Sequence, residues 1–537
     1  MMSQLLKRSG MLFLFGLLLL GSGKGITATM ANDSSIVNTE AGPVQGVVTE
    51  AYRLFQGIPY AAPPMRDLRW HAPQPVMPWT DVLDATQPGS PCPQLATSYA
   101  EVGSVNEDCL FLNVTTPAVV SSEQLKPVMV WIHGDGAVGS GHLFDARQLA
   151  TAGDVVVVTI NYRLGVFGAF GYPGLEGSGT FGLQDQQAAL RWVQRNAAAF
   201  GGDPDNVTLF GESYGAQAVS AQLTSPTAAG LFQRAIIQSG FALMDMPAGS
   251  LLPGLPAMEW YGWRSLAEVE SFGSMVAPGL GCADPATALE CLRQLTVEQL
   301  LAYPQIMNIF QAYAFGTPTL PQVPAQALRA GEFHRVPIIS GSTRDEHRTF
   351  VGLFFDLAGQ PVTAGQYKLL LLGAFGKQAA RIEAQYPLAA FASPSLAWAT
   401  VLTDRMWARY TFELNHLFAA QMPTYAYEFA DQNAPMYLPF PESFPPGAFH
   451  AADVPYLFND ESFAASATTE QQHLSDQMIH YWTNFARTGD PNGADLPPWQ
   501  PFERGAVVPY VQSLASNRIQ AVDFAAEHQL DFWSSLP

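Results

Sequence analysis

Four apolar runs constrain the fold of this chain more than any other feature. They are Val128–Ile132, Val155–Ile160, Val207–Phe210 and Val336–Ile339. A strand that is apolar at successive positions is buried on both faces, as in a parallel sheet covered by helices. The stretch Leu183–Phe200 has the apolar spacing of a helix instead, and two glycines follow it as a stop signal. Strands that alternate with helices predict an α/β fold with a mostly parallel central sheet.

The third apolar run leads directly into the segment Gly211-Glu212-Ser213-Tyr214-Gly215, and a stretch that can form a helix follows. A G-x-S-x-G pattern between a strand and a helix predicts a sharp turn that holds the serine out of the backbone, with glycines on either side to make room. In a chain with 46 glycines the pattern is weak by itself. Its significance depends on a base, an acid and a set of backbone donors elsewhere.

A serine hydroxyl needs a neighbouring base that is itself oriented by an acid, and in this kind of fold the acid and then the base follow the serine along the chain. Asp345 and Glu346 come after the fourth apolar run, so either carboxylate can project from a strand end. His450 follows a proline-rich loop. There are ten histidines to choose from, but His416 and His480 lie in helix-like stretches that are typical of packing or surface residues.

The segment His133-Gly134-Asp135-Gly136 follows the first apolar run. A loop of the HGGG type in this position supplies backbone N–H groups to a developing oxyanion. Ligands of parallel sheets bind beyond the carboxyl ends of the strands. We therefore expect this loop, the serine turn and the candidate acid to meet at one edge of the sheet.

From about Ile36 to Trp533 the chain resembles the type B carboxylesterase/cholinesterase family of the α/β-hydrolase superfamily. The matching segments are Phe55–Ala61, Glu107–Val114, Asn161–Gly165, Phe200–Pro204, Val207–Ser213, Gln238–Gly240, Asp345-Glu346, His450 with Asp453, and Tyr481–Phe485. The resemblance implies an α/β-hydrolase fold, with a mostly parallel central sheet, helices on both faces and large loop insertions. It also implies a carboxylic ester hydrolase that needs no cofactor.

The resemblance assigns roles to the candidate residues. Ser213 would be the nucleophile and His450 the base. Glu346 would be the acid, because the family places a glutamate second in its Asp-Glu pair, and Asp345 would then bind nearby backbone or Arg344.

The same resemblance extends to the residues around the triad. The backbone N–H groups of Asp135, Gly136 and Tyr214 would form the oxyanion hole. Glu212 and Ser239 resemble residues that hold water and the triad in place, although both can equally be satisfied buried polar residues.

Three residues depart from the family pattern. Asp135 replaces the second oxyanion glycine, and we expect its carboxylate to point away from the oxyanion, to be neutralised or to be held by hydrogen bonds. Tyr214 replaces an alanine, and its ring either narrows the site or packs under the turn. Phe315 stands where many relatives carry an aspartate in a loop that borders the pocket.

The amino terminus has the pattern of a secretory signal peptide, with Lys7 and Arg8 before the apolar run Met11–Leu20. We assign residues 1–28 to it, with cleavage after Ala28 or Ala31, and residues 32–537 to a single catalytic domain. An uncleaved anchor is the alternative. The expected location is secreted or periplasmic, without a stable membrane span once the signal is removed.

Cys92, Cys109, Cys282 and Cys291 form an even set, which in an exported chain favours disulfides over metal ligation. Four cysteines allow three pairings. Pairing nearest neighbours, Cys92–Cys109 and Cys282–Cys291, closes two short loops, and the resemblance selects the same pairs. We expect no metal site, because no Cys/His cluster has zinc-ligand spacing.

The net charge and the segment between Cys92 and Cys109 limit the classes of partner and substrate that we expect. The net charge of −20 disfavours nucleic acid and anionic membranes as partners. The segment between Cys92 and Cys109 contains no tryptophan, whereas in cholinesterases the corresponding loop carries an aromatic residue that receives the quaternary ammonium. A choline-ester specialist is therefore disfavoured. With the candidate triad, the resemblance predicts a secreted serine hydrolase that cleaves carboxylic esters through an acyl-enzyme. The alternatives are lipase-like activity on longer acyl esters and a non-catalytic extracellular binding module. The oligomeric state does not follow from the sequence.

Overall fold

The computed structural model describes residues 35–97, 103–119, 124–251, 254–436, 438–458 and 461–536. The expected signal peptide lies outside these described residues. From Ser35 onward the chain clusters as one compact unit. No helix within the described part of the chain has both the length and the apolar character needed to cross a bilayer.

The strands are short at the amino terminus and longer in the centre of the chain. They are β1 (Ile36–Asn38), β2 (Pro43–Gln45), β3 (Val47–Val48), β4 (Tyr52–Pro59), β5 (Leu83–Asp84), β6 (Phe111–Pro117), β7 (Lys126–Ile132), β8 (Val156–Ile160), β9 (Gly202–Glu212), β10 (Arg234–Gln238), β11 (Trp263–Ser265), β12 (Tyr313–Phe315), β13 (Ile338–Thr343), β14 (Thr424–Phe429), β15 (Val511–Ala515) and β16 (Arg518–Val522).

Most of the helices lie in the second half of the chain. They are α1 (Arg147–Gly153), α2 (Gly165–Ala169), α3 (Phe181–Asn196), α4 (Tyr214–Thr224), α5 (Leu266–Val276), α6 (Ala288–Gln294), α7 (Val297–Leu301), α8 (Ile306–Ile309), α9 (Pro324–Ala330), α10 (Arg348–Val351), α11 (Ala364–Phe375), α12 (Ala379–Gln385), α13 (Pro394–Leu402), α14 (Arg409–Ala419), α15 (Val454–Leu457), α16 (Glu461–Ser466), α17 (Thr469–Thr488), α18 (Phe524–Glu527) and α19 (Leu530–Ser534). Two π-helical turns, Gly352–Asp356 and Thr403–Ala408, continue α10 and α13.

Eleven strands form the central sheet, in the order β16-β15-β14-β13-β10-β9-β7-β8-β6-β4-β3. All neighbours from β15 to β8 pair in parallel. The pairings at the two edges are antiparallel. Two small sheets, β1-β2-β5 and β11-β12, lie apart from it. The expected mostly parallel central sheet is therefore present.

The four apolar runs correspond to β7, β8, β9 and β13. The last of these strands starts at Ile338, two residues later than the run suggested, because Pro337 has no N–H to donate to a ladder. The predicted helix is α3, and it ends in a short 3-10 turn, Ala197–Phe200, before Gly201 adopts the left-handed conformation.

Strand β7 shows why the central strands are apolar throughout. Val128, Val130 and Ile132 face a core shared with α3 and α4. Met129 and Trp131 face a second core, built largely from α17. Because successive side chains of a strand point to opposite faces, a sheet covered by helices on both sides needs apolar residues at every position.

The carboxyl ends of the parallel strands meet at one edge of the sheet, and three long excursions leave from there. They span residues 239–337, 344–423 and 430–510 and contain most of the helices after α4. These excursions are the expected large loop insertions. The predicted serine, acid and histidine stand close after β9, β13 and within the excursion after β14, so the topology brings them to the same edge.

Both nearest-neighbour disulfides are present. Cys92 is bonded to Cys109 with a Cα–Cα distance of 4.8 Å, and Cys282 to Cys291 with 5.7 Å. Both distances lie in the usual range for disulfides.

Candidate active site

Ser213 occupies the turn between β9 and α4 in a conformation that L-residues rarely adopt, with φ 56° and ψ −120°. The neighbouring glycines are required by close packing. A Cβ on Gly215 would collide with the carbonyl oxygen of Ile132, and one on Gly211 would lie 2.7 Å from that same oxygen. The backbone N–H of Ser213 donates to Gln238 O at 2.9 Å. The turn is therefore locked on both sides and presents the serine hydroxyl at the edge of the sheet.

A continuous hydrogen-bonded chain starts at this hydroxyl. His450 Nε2 lies 2.8 Å from Ser213 Oγ, and His450 Nδ1 lies 2.5 Å from Glu346 Oε2. The other carboxylate oxygen of Glu346 accepts the backbone N–H of Thr343 at 2.8 Å. Glu346 is fully buried. The structure thus joins the three predicted triad residues in one hydrogen-bonded chain, with His450 between Ser213 and Glu346.

Asp345 does not join this chain and instead holds the loop that carries His450. Its Oδ2 accepts the backbone N–H of Ala448 at 3.0 Å and the side-chain amide of Gln432 at 2.7 Å. Its Oδ1 pairs with Arg348 Nη2 at 2.7 Å. The expected partner Arg344 contacts Glu527 instead. Asp345 therefore joins the loop after β13, which carries Glu346, to the loop that carries His450.

The two alternative histidines, His416 and His480, have other surroundings than Ser213. His416 lies on α14, where its ring contacts Phe412 and Phe502. His480 is exposed on α17. Of the three histidines weighed from the sequence, only His450 is hydrogen-bonded to Ser213.

A third carboxyl group lies close to the imidazole. Glu212 Oε1 is 3.3 Å from His450 Nε2. Burial lowers the pKa of His450, but the carboxylates of Glu212 and Glu346 outweigh burial and raise that pKa above its ordinary value. Burial raises the pKa of Glu212, and the nearby imidazole opposes this shift. Because the two groups are so close, their protons leave in steps that belong to the pair.

Ser239 directly follows Gln238, which pairs with Glu212 in the sheet, and Asp453 is close enough to affect the pKa of Glu212. Ser239 follows β10 with a left-handed φ of 53° and donates its N–H to Gly341 O at 2.8 Å. Asp453 Oδ2 accepts from Gln238 at 2.9 Å and from Tyr427 Oη at 2.8 Å. Glu212 Oε1, Ser239 Oγ and Asp453 Oδ1 have no hydrogen-bond partner among the described protein atoms. Buried polar atoms of this kind are commonly satisfied by ordered water.

The loop His133–Gly136 is held by its carbonyl groups, each of which accepts a hydrogen bond. The Tyr162 hydroxyl donates to His133 O at 2.7 Å, and the Gly136 N–H donates to Gly134 O at 3.1 Å. The side-chain amide of Gln311 donates to Asp135 O, and the Gly165 N–H donates to Gly136 O at 2.9 Å. Because C=O and N–H point in opposite directions across a trans peptide, bound carbonyls fix the directions of the N–H groups.

Asp135 and Gly136 both have positive φ, at 73° and 79°. The Asp135 carboxylate accepts the N–H groups of Ala137 at 3.0 Å and Val138 at 3.2 Å. Of the arrangements expected for this residue, the structure has the one in which hydrogen bonds hold the side chain. An Asx-type turn of this kind also favours the left-handed backbone of the aspartate.

Tyr214 packs inside the molecule rather than standing in the open site. Its ring is buried, lies 5.0 Å from the ring of Tyr313 and covers the Cα of Gly136. Its hydroxyl donates to the backbone carbonyl of Gln311. Phe315 is half-buried at the end of β12. Between the two readings of Tyr214, the structure favours packing under the turn.

Two comparisons with known proteins identify the family. The family profile described as the carboxylesterase family matches residues 33–533. The chain belongs to the carboxylesterase family. It is 35% identical over 475 residues to para-nitrobenzyl esterase from Bacillus subtilis, which covers 85% of this chain and 90% of that protein. It is 34% identical over 552 residues to cocaine esterase from Homo sapiens, covering 96% and 93%.

Solved structures agree with this membership. A thermophilic PNB esterase superposes with a TM-score of 0.75 at 31% identity, covering 92% of this chain and 99% of the other. A second PNB esterase gives 0.74 at 32% identity, covering 93% and 99%. The predicted α/β-hydrolase fold is confirmed, and this carboxylesterase is a carboxylic ester hydrolase.

Sequence reasoning missed several residues of the carboxylesterase site. Phe350 and Trp407 flank the His450 ring, with centroid distances of 5.2 Å and 4.8 Å. Gln311 reaches the loop His133–Gly136 from a remote excursion. None of these positions carries a motif, because each depends on which excursion folds over the sheet edge.

Proposed function

We propose that this carboxylesterase acts through an acyl-enzyme formed on Ser213. His450 accepts the serine proton while Oγ attacks the ester carbonyl, and then delivers that proton to the leaving alcohol. Water attacks the acyl-enzyme by the same route and releases the acid. Glu346 holds the imidazole in the required tautomer and stabilises its positive charge. The hydrogen-bonded chain from Ser213 through His450 to Glu346 carries this proposal.

The oxyanion would be received by the backbone N–H groups of Asp135, Gly136 and Tyr214. The loop's bound carbonyls support this role, because they leave its geometry little freedom. The Gly136 N–H donates to Gly134 O within a tight turn in the structure. We infer that this N–H is shared between Gly134 O and the oxyanion as negative charge develops. Such donors matter most where charge forms in the transition state.

The aromatic rings around His450 favour small neutral esters with short-to-medium acyl or aryl groups. Phe350 and Trp407 contribute apolar surface there. A relative named for para-nitrobenzyl esters, at 35% identity, supports the same substrate class.

We further propose that the chain is exported, that residues 1–28 are its signal peptide and that residues 32–537 are the catalytic domain. The two disulfides support export, since they persist in oxidising compartments. Fractionation of the producing cells and amino-terminal sequencing of the purified protein would test both points. Recovery of the uncleaved chain in the membrane fraction would show an anchor instead.

Covalent labelling tests the proposed nucleophile. A fluorophosphonate should modify Ser213, identified by peptide mass spectrometry, and Ser213→Ala should abolish both labelling and turnover. Absence of labelling in the wild type would instead support a non-catalytic binding module, and labelling at another residue would overturn the assignment.

A series of p-nitrophenyl esters of graded acyl length tests the substrate class. We expect the highest kcat/KM at short to medium lengths and little turnover of emulsified triglyceride. Preference for the emulsion would identify a lipase.

A further inference from the structure

Gln311 contacts both parts of the proposed oxyanion hole. It lies between α8 and β12, far along the chain from either part. Its side-chain amide donates to the carbonyl oxygen of Asp135, and its backbone carbonyl accepts the hydroxyl of Tyr214. One residue therefore joins the oxyanion loop to the first residue of the helix that follows the nucleophile.

The bond to Asp135 determines where an oxyanion donor points. The Asp135 carbonyl and the Gly136 N–H belong to the same planar, trans peptide and point in opposite directions. By holding the carbonyl, the amide of Gln311 fixes the direction of that N–H. The Asp135 carboxylate holds the following turn through Ala137 and Val138, so rotation of the peptide is opposed from both sides.

The bond from Tyr214 fixes the second part. The Tyr214 N–H is the proposed donor beside Ser213, and the tyrosine ring packs on Gly136 so closely that a Cβ there would lie 2.7 Å from ring carbons. The hydroxyl at the far end of the ring meets the carbonyl of Gln311. The Tyr214 ring therefore contacts Gly136, which carries the other proposed donor, and Gln311 holds both Tyr214 and the peptide before Gly136.

The segment that carries Gln311 is itself anchored. Met307 of α8 packs against Gly165, whose N–H holds the Gly136 carbonyl. Tyr313 Oη accepts from Gln186 at 3.2 Å, and Ala314 N–H donates to Gly179 O at 3.0 Å. Gln311 therefore acts from a fixed support rather than from a free loop.

We propose that Gln311 is a positioning residue that sets the relative orientation of the Gly136 and Tyr214 N–H donors. This rests on the proposed function of those donors. In this chain Asp135 and Tyr214 replace a glycine and an alanine of the family pattern, and Gln311 binds both replacements. The loop lacks its second glycine, and Gln311 compensates by holding the peptide that follows Asp135 through a contact from another segment of the chain.

Removal of the amide tests the inference. Gln311→Ala keeps the backbone carbonyl, and Gln311→Glu keeps the side-chain volume but loses the donor. We expect kcat to fall about tenfold in both, a fraction of the loss on deleting a whole oxyanion donor, with KM nearly unchanged. The inhibition constant of a trifluoromethyl ketone, which forms an oxyanion on Ser213, should rise by the same factor. Asn308→Ala, which removes an exposed amide three residues away, is the control and should change neither.

A second variant measures the coupling. Tyr214→Phe keeps the ring and the N–H but loses the hydroxyl that meets Gln311. When Tyr214→Phe is combined with Gln311→Ala, kcat should fall by less than the product of the two single-variant factors, because both substitutions loosen the same set of contacts. Multiplicative effects would overturn the inference.

The possible failures are distinguishable. If the wild type binds the ketone at Ser213 and Gln311→Glu leaves kcat and the inhibition constant unchanged, Gln311 has no positioning role. A parallel rise in KM without a change in the ketone's inhibition constant would also overturn it, since that indicates a damaged substrate pocket. If the wild type does not react with the ketone, the proposed function fails and the inference fails with it.

Discussion

Two buried histidines in this protein each lie between two carboxyl groups, and only one is placed to act as a base. His528 is held at both nitrogens, 2.7 Å from Asp404 and 2.7 Å from Glu428. His450 gives Nδ1 to Glu346 at 2.5 Å, but its Nε2 has Ser213 Oγ at 2.8 Å and Glu212 farther off at 3.3 Å. The difference between the ion cluster at His528 and the base proposed at His450 is which group lies at the second ring nitrogen.

Electrostatics do not create this difference, because neighbouring carboxylates raise the pKa of both histidines, that of His450 to about 9. Burial lowers the pKa of His528, but hydrogen bonds to Asp404 and Glu428 outweigh burial and raise it to about 10. The residue therefore remains an imidazolium at neutral pH. It ties a π-helical turn, strand β14 and the carboxyl-terminal helices together. At His450 one ring nitrogen faces the neutral hydroxyl of Ser213 and not a second carboxylate. The ring can therefore exchange a proton with that hydroxyl during turnover.

The largest expected effect separates the two histidines by function. His450→Gln should reduce kcat on the order of 10⁴-fold or more, because it removes the proposed base, and its thermal melt should show that the variant still folds. Steady-state kinetics with p-nitrophenyl acetate and a thermal melt measure both. A variant that kept more than a hundredth of wild-type kcat would show that another residue takes the serine proton.

The two adjacent carboxylates after β13 offer a matched test of the acid. Glu346→Gln should lower kcat about 10³- to 10⁴-fold, since an amide no longer favours the correct tautomer of His450. Asp345→Asn should lower it only about tenfold, because Asp345 acts through the loop backbone at Ala448. Comparison of kcat at one pH measures the ranking. The reverse ranking would make Asp345 the acid.

Removing the second histidine should affect stability instead of turnover. His528→Gln leaves Asp404 and Glu428 buried without their cation, which should cost about 3–5 kcal/mol of unfolding free energy. The folded pKa is raised, so the contribution is complete below the ordinary value of about 6.5 and is lost as pH rises toward 10. Urea unfolding at several pH values should show this alkaline loss in the wild type and not in the variant. Unchanged stability, or a large loss of kcat in folded protein, would contradict the comparison.

Local sterics and burial made much of the fold and part of the site predictable from sequence. The central strands were recognisable because both of their faces are buried, and the serine turn because only small residues fit beside it. The choice of Glu346 and His450 needed the family resemblance, since a pattern of residue types cannot rank two adjacent carboxylates or ten histidines.

The residues that the sequence did not reveal are those defined by long-range contacts. Gln311 and His528 lie in unremarkable segments, and their partners are at least 97 residues away along the chain. Asp345 was expected to bind nearby backbone or Arg344; it binds the backbone N–H of Ala448, but its arginine partner is Arg348, at the start of α10, and not Arg344. Such choices depend on how excursions pack over the sheet edge, which periodicity and spacing do not encode.

The smallest expected effect concerns the carboxyl group nearest to the catalytic nitrogen. In its ionised form Glu212 stabilises the imidazolium of His450, so Glu212→Gln should lower the pKa of that histidine. Turnover requires the neutral imidazole, and the rising limb of kcat/KM against pH should therefore move to lower pH, by about one unit. Glu428→Gln, the same substitution beside His528, should leave the limb in place. If the limb stayed fixed or moved to higher pH in Glu212→Gln, Glu212 would already be neutral when His450 titrates. The two histidines would then differ in their charged partners as well as in the group at the second nitrogen.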